Sequence, residues 1–169
     1  SCYIDVDTFD ETVFNKKFDL IFSNFNGINC VSPGALQKLL QKIPSILAPG
    51  GRLVAVVMPK RCLWETLRFA FKLNFAKAFR RWTDKPVLLE AEQGIRTWFY
   101  QPGRIVRWAG DSFRKVRTMP VGITVPPGFL DKFFSRRKRT LFKLYSLEKR
   151  LSRFAVLAGF SDHYIIDLQ

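Results

Sequence analysis

Two residues near the end of the chain form the plainest chemical pair. His163 is the single histidine among 169 residues, and Asp162 stands immediately before it. An imidazole beside a carboxylate can take a proton from a hydroxyl or an amine near neutral pH; the blander reading is a structural or exposed histidine. A second stretch is Ser23-Asn24-Phe25-Asn26-Gly27, which follows directly on the apolar run FDLIF. Open α/β sheets hold their ligands outside the carboxyl ends of the strands, so polar residues released straight from a buried strand stand where a ligand would sit. Cys2, Cys30 and Cys62 are odd in number and widely spaced, without a C-x-x-C pair. That pattern argues against a disulfide framework and against a zinc site, and predicts reduced thiols.

The elements that would position these groups read as an α/β order. Phe18 to Asn24 is short, rich in strand formers and bounded by Lys16-Lys17 and Asn26-Gly27, which predicts a strand buried on both faces. Ser32-Pro33 then opens a helix, with the serine as N-cap and the proline at the first helical position, where its missing N–H is harmless. Leu36, Leu39, Leu40, Ile43 and Leu47 give that helix an apolar face, APGG stops it, and RLVAVVMP follows as a second buried strand. Strand, helix and strand with such short joints predict a right-handed βαβ unit in a parallel sheet.

Past Pro59 the spacing becomes helical and aromatic. Trp64, Leu67, Phe71, Phe75, Phe79 and Trp82 recur every three or four residues, with Arg68, Lys72, Lys77, Arg80 and Arg81 between them. This predicts one basic amphipathic helix whose aromatic stripe faces the core, or else a membrane surface or a partner. IRTWFY and FRKVRTMPV read as two further strands joined by a short segment, QPGRIVRWAGD. After the rigid VPPG, a long helical stretch beginning near SRRKRT runs to Gly159, and HYIIDL closes the chain as a strand.

Charge divides the chain. The net charge is +14, yet residues 1–50 hold four Lys/Arg against five Asp/Glu, and residues 51–169 hold twenty-four against nine. A regional basic field of this kind attracts polyanions, acidic lipid surfaces, acidic carrier proteins or acidic metabolites. No run approaches the roughly 18 apolar residues of a membrane span, and the first residues lack the order of a signal peptide, which together predict a cytoplasmic protein.

In its order of motifs the sequence resembles the C-terminal part of a class I S-adenosylmethionine-dependent methyltransferase of a bacterial, small-molecule type. FDLIFSN resembles that family's fourth strand, LAPGGRLVAVV its helix, Pro-Gly-Gly turn and fifth strand, and DHYIIDL its reversed seventh strand. SNFNGINC is similar to an S-N-F-G-x-L-N-C segment of one bacterial branch. The resemblance implies a Rossmann-like α/β fold comprising strands 4, 5, 6 and reversed 7, with the first two strands missing from a fragment. It implies S-adenosyl-L-methionine as cofactor, with Ser23, Asn24 and Phe25 lining its methionine side and Asp7, or its near rival Asp5, meeting the adenine. It places His163 at the sheet edge where the parallel strands end, as a catalytic base. It also puts Trp98, Tyr100 and the segment from Val121 to Gly159 in a cap over the substrate, with core packing as the other reading of those residues.

The glycine-rich loop after the first strand and the acidic residue ending the second have no counterpart in the chain, and SNFN replaces the N-P-P-[YF] of enzymes that methylate bases or amides. The expected organisation is one partial domain. Residues 1–60 form a sheet core with the cofactor-side loop, 61–160 a helical and strand substrate cap plus the sixth strand, and 161–169 the reversed strand. The expected acceptor is small or carrier-bound and acidic. A non-enzymatic basic domain that binds nucleic acid or a membrane surface is the alternative, and the edge at 18–24 is expected to pair with another chain, to be covered by residues 1–14, or to leave the chain insoluble.

Overall fold

The computed structural model describes residues 12, 14–24, 27–88, 95–126, 128–130 and 134–169. Its main sheet contains β1 (Phe18–Ser23), β2 (Leu47–Val57), β5 (Lys115–Val121) and β6 (His163–Leu168), in the spatial order β1-β2-β6-β5. β1 and β2 are parallel, while β6 runs antiparallel to both β2 and β5. The last strand in sequence is therefore a reversed insertion between two strands that share a direction. A separate two-stranded ribbon pairs β3 (Val87–Leu88) with β4 (Arg96–Thr97).

Helices α1 (Pro33–Ile46) and α4 (Pro102–Ala109) supply one layer on this sheet. Leu36, Leu40 and Ile43 of α1 and Ile105 and Ala109 of α4 pack with Leu53, Ala55 and Val57 of β2 and Tyr164, Ile166 and Leu168 of β6. The period of two along both strands selects these residues, since alternate side chains point to one face. The N-terminus of α1 forms as expected: Ser32 Oγ accepts from the Ala35 amide at 3.4 Å, and Pro33 takes the first turn. Pro44 has no amide to offer the carbonyl one turn earlier, and the helix ends two residues later at Ile46.

Several expectations change. β1 is an edge strand among the described residues, and it is not buried on both faces: Leu20 and Phe22 are 56% and 57% exposed. Their register partners, Arg52 and Val54, lie on the sheet face opposite α1, a face the core residues above do not share. APGG does not stop the helix. It lies inside β2, where Gly50 takes a φ of +79° and a Cβ on Gly51 would meet the Phe18 carbonyl oxygen at 2.8 Å. The pairing of β1 with β2 slips at this point, between Phe18 and Leu20, so the glycines serve a strand irregularity.

The supposed single aromatic helix is three pieces: α2 (Leu63–Phe71), α3 (Phe75–Ala78) and a 3₁₀ turn at Arg80–Trp82. Its stripe does not face the core, since Leu67, Phe71, Phe75, Phe79 and Trp82 are all exposed. QPGRIVRWAGD is helix α4 rather than a joint, started by Pro102 and ended by Gly110 at a φ of +60°. IRTWFY contributes only Arg96–Thr97 as strand. The long C-terminal stretch is α5 (Lys138–Leu151) followed by a 3₁₀ turn at Ala155–Gly159.

Candidate functional site

The exit from β1 is built around a close turn. Ser23 stands beside Ala55 of β2, and the Gly27 amide closes back on the Asn24 carbonyl at 3.1 Å. A Cβ on Gly27 would lie 2.8 Å from Ser23 Oγ, so the glycine leaves room for that hydroxyl under the turn. Asn24 is exposed at the mouth. Alongside, an apolar groove of about 510 Å³ follows β1 from Phe18 to Gly27, walled by Ile43 and Leu39 of α1. It runs the whole length of the strand with Ser23 as the polar side chain in its lining, which suits packed secondary structure better than a polar cofactor.

Asn29, fully buried, ties this exit to the rest of the edge. Its side-chain amide donates to the carbonyls of Met58 at 3.2 Å and Trp98 at 2.6 Å, and its Oδ1 accepts from the Met58 amide at 2.9 Å. Its own carbonyl accepts from the Trp98 amide at 2.7 Å. One residue thus joins the segment after β1, the end of β2 and the segment after β4. Tyr100 completes the joint, donating its hydroxyl to Val31 and its amide to the Met58 carbonyl at 3.1 Å. Burial raises the Tyr100 phenol above its ordinary range, and it stays protonated.

The histidine end of the site is a chain of charges. His163 Nδ1 lies 3.2 Å from Asp162 Oδ2, and Asp162 Oδ1 lies 3.6 Å from Nη2 of the buried Arg81. Arg81 Nη2 also meets Glu65 Oε2 at 2.6 Å, while Arg80 Nε donates to Glu65 Oε1 at 2.7 Å. Arg81 stacks over Phe99 at 4.9 Å, and its Nε and Nη1 meet no acceptor among the described residues. Burial alone would raise Asp162, but His163 and Arg81 outweigh it and hold this carboxyl below its usual value. The buried Cys62 thiol donates to Asp162 Oδ1 at 3.5 Å, and burial pushes it up to about 12. It is a thiol, not a nucleophilic thiolate, at neutral pH.

Next to this chain is a shallow cavity of about 250 Å³ lined by Arg61, Gln101, Gly159 and Phe160 among others. Arg61 is exposed, yet its guanidinium is held 5.1 Å over Trp82 and 5.5 Å over Phe160. Gln101 donates to the Gly159 carbonyl at 3.2 Å and closes one side. A planar cation fixed by two rings at a cavity mouth suits a carboxylate or phosphate.

Ser23, Asn24 and His163 all reach the sheet edge where β1 and β2 end and β6 begins. Two strand spacings, about 10 Å, separate β1 from β6. Tyr100 does not belong to a substrate cap: it is 1% exposed and committed to Val31, because its ring fills the space between α1, α4 and β6. Trp98 is half-buried against the same core. Asp5, Asp7 and Phe25 lie outside the described residues. Asn29, Arg61, Glu65 and Arg81 were not anticipated. Asn29 sits inside SNFNGINC, whereas no local pattern marks the Glu65–Arg81–Asp162 chain.

No protein-family model matches the sequence, and no curated protein matches it. Solved structures do match in fold. The CcbJ methyltransferase from Streptomyces caelestis is 12% identical with a TM-score of 0.54, over 98% of this chain and 61% of that one. An S-adenosylmethionine-dependent methyltransferase from Clostridium acetobutylicum is 9% identical with a TM-score of 0.53, over 100% and 63%. One from Mesorhizobium loti is 13% identical with a TM-score of 0.53, over 98% and 66%. The chain thus has the Rossmann-like fold of these enzymes and spans 61% to 66% of their lengths.

Proposed function

We propose that this chain belongs to an enzyme that transfers a methyl group from S-adenosyl-L-methionine to a small or carrier-bound acidic acceptor, and that it supplies the acceptor side of the site. The observation that carries this reading is the order β1-β2-β6-β5 with β6 reversed, the arrangement expected of the family's strands 4, 5, 7 and 6. In this reading residues 1–60 hold the cofactor-side loop, 61–160 the acceptor side and 161–169 the closing strand. Ser23 and Asn24 fit the polar amino-acid end of the cofactor: a hydroxyl under a glycine turn and an exposed carboxamide stand at a strand's carboxyl end. When bound, the cofactor supplies a methyl carbon activated by a sulfonium.

The residues present account for the rest. Arg61 takes the acid group of the acceptor, and the rings of Trp82 and Phe160 keep the guanidinium in place. Asp162 fixes the proton of His163 on Nδ1, a tautomer assigned from this partner, which leaves the lone pair on Nε2. As the acceptor's oxygen or nitrogen bonds to the methyl carbon and the sulfonium bond breaks, Nε2 receives the proton that the acceptor sheds. His163 and Arg81 together hold Asp162 ionised, so the carboxylate remains in place to orient the imidazole. Because methyl transfer is an in-line displacement, positioning does much of the work, and the base adds a smaller factor.

A nitrogen-15 amide titration with S-adenosylhomocysteine tests the reading directly, since it detects even millimolar binding and locates it. The expected shifts cluster at residues 22–29 and 55–58. Shifts confined to another face, or none at saturating ligand, would end it. In an active preparation, His163→Ala should lower turnover by at least about tenfold and Asp162→Asn should move the pH profile. Unchanged turnover at every pH would return His163 to a structural role.

A further inference from the structure

We propose that the turn from Phe71 to Lys77 docks this protein on an anionic phospholipid surface, with Phe71, Leu73 and Phe75 entering the boundary between headgroups and acyl chains and Lys72 and Lys77 meeting lipid phosphates. All seven residues of this turn, Phe-Lys-Leu-Asn-Phe-Ala-Lys, are exposed. Phe71, Leu73 and Phe75 are 85%, 80% and 57% exposed, so three large apolar side chains stand in water at one apex. Isolated exposed apolar residues are ordinary, but three at the tip of one turn mark a contact surface.

Hydrogen bonds pin the turn on both sides. Leu73 holds a φ of +55°, the one positive φ of a non-glycine residue among those described, and its amide bonds to the Ala70 carbonyl at 2.9 Å. The Asn74 amide bonds to Phe69 at 2.9 Å, and its side chain caps α3 by accepting from Lys77 N at 3.1 Å. Below it, Thr66 Oγ1 reaches the Ala78 carbonyl at 3.3 Å, and Glu65 pairs with Arg80 and Arg81. A leucine in left-handed backbone is costly, and here the strained position presents its side chain outward. Function at an apex is a frequent reason for such strain.

Charge chooses among the surfaces such a tip would fit. Lys72 stands between Phe71 and Leu73, Lys77 follows Phe75 by two residues, and the molecule carries +14 overall, which favours an anionic layer. A second copy would bring that same charge against itself. A nucleic acid would stack on rings, whereas the apex residue is an aliphatic leucine. The surface continues down α2 through exposed Leu63 and Leu67 and beyond α3 through Phe79 and Trp82, an indole being favoured at membrane interfaces. No described helix is long and apolar enough to cross a membrane, so the contact is peripheral.

The test is cosedimentation of the chain with vesicles of phosphatidylcholine alone or mixed with about one-third phosphatidylglycerol, at low and at high salt. Wild type should partition at least about tenfold more strongly onto the anionic vesicles, and high salt should reduce that advantage. Joint Phe71→Ala, Leu73→Ala and Phe75→Ala should weaken partition at least about tenfold, as should joint Lys72→Glu and Lys77→Glu. Leu73→Asn guards against misfolding, because asparagine accepts left-handed backbone: it should melt no lower than wild type yet bind less. A control reversing Arg136, Arg137, Lys138 and Arg139 should change partition less than the tip variants. The proposal falls if wild type ignores anionic vesicles at low salt, or if the apolar triple variant binds as well as wild type. It falls equally if light scattering shows a dimer that the triple variant dissolves, since a second copy would then be the occupant. The outcome is independent of whether the chain transfers methyl groups.

Discussion

Removing the carboxylate of Glu148 should loosen the whole C-terminal helix. Glu148 lies in α5, and its two oxygens accept from the amides of Gly122 at 2.8 Å, Ile123 at 3.1 Å, Thr124 at 2.6 Å and Val125 at 3.2 Å. The Thr124 hydroxyl adds a fifth donor at 2.8 Å and also reaches the Leu144 carbonyl at 2.9 Å. No residue of α5 is buried, so this single side chain supplies most of the helix's specific attachment to the loop after β5. Each abandoned donor costs about 1–3 kcal/mol if it stays dry, and the loop is half-buried, so water recovers much of that. A net loss of about 2–4 kcal/mol for Glu148→Ala follows, roughly 10 °C in melting temperature for a chain of this size. Glu148→Gln should cost nearly as much, because its NH₂ would face amide donors.

The pH dependence has a definite sign. Burial would raise the Glu148 carboxyl, but the amides of Thr124 and Ile123 and the Thr124 hydroxyl outweigh it, and the folded value is depressed. Its stabilisation is therefore complete above the ordinary glutamate pKa of about 4.3 and disappears as pH falls through the lower folded value. Urea melts of wild type and Glu148→Gln should differ at pH 7 and converge in acid. Amide exchange at residues 122–125 should accelerate in the variants. Equal midpoints at pH 7, with protection at 122–125 unchanged, would show that α5 is held by something other than this carboxylate.

Asn29→Ala should cost about 3 kcal/mol, since it strands the buried Met58 amide and the Trp98 carbonyl, and a denaturation midpoint reads this directly. In native protein at pH 8 Cys30 should react with a maleimide while Cys62, buried and raised to about 12, should not; mass spectrometry before and after urea distinguishes the two. Lys138→Glu with Arg139→Glu should stabilise the protein by roughly 1 kcal/mol at low salt and by less at high salt. The first turn of α5 holds no acidic residue, and its N-cap is Arg137. The 169-residue chain should bind S-adenosylhomocysteine no more tightly than about 0.1 mM, because it has no glycine-rich loop to approach the adenosine; calorimetric micromolar affinity would contradict this.

Where a residue's role depended on its near neighbours in the chain, the sequence was informative. Ser32 and Pro33 announced α1, and the apolar run at 53–57 and the strand-forming HYIIDL at 163–168 announced two strands of the sheet. Periodicity alone does not say what a face touches, and the stripe from Trp64 to Trp82 had the spacing of a buried face while most of it meets water. Helix α4 has its own signals in Pro102 and Gly110, but eight residues with three arginine and glycine interruptions carry little periodicity. The Glu65–Arg81–Asp162 chain is a tertiary fact, drawn from α2, the 3₁₀ turn at Arg80–Trp82 and the residue before β6, and no window of sequence holds all of it. Of the expected site residues, Ser23, Asn24 and His163 share an edge because strand order puts them there, and Tyr100 is lost to the core because a large ring was needed to fill it.

The position of β6 also governs the order in which the sheet can be completed. Among the described residues β6 follows the other five strands, yet it occupies an interior place, and β2 and β5 are joined there only through it. Its ion pair between Arg52 and Asp167 spans 115 residues of sequence. During synthesis β5 must therefore wait without a strand partner in the main sheet, supported by α5 through Glu148 and by the turn at Ala155–Gly159, until the six residues from His163 to Leu168 emerge and join both flanks at once. Closure of the sheet comes late, and a chain that ends before His163 leaves β5 parted from the β1–β2 pair, the kind of product that chaperones and proteases must intercept.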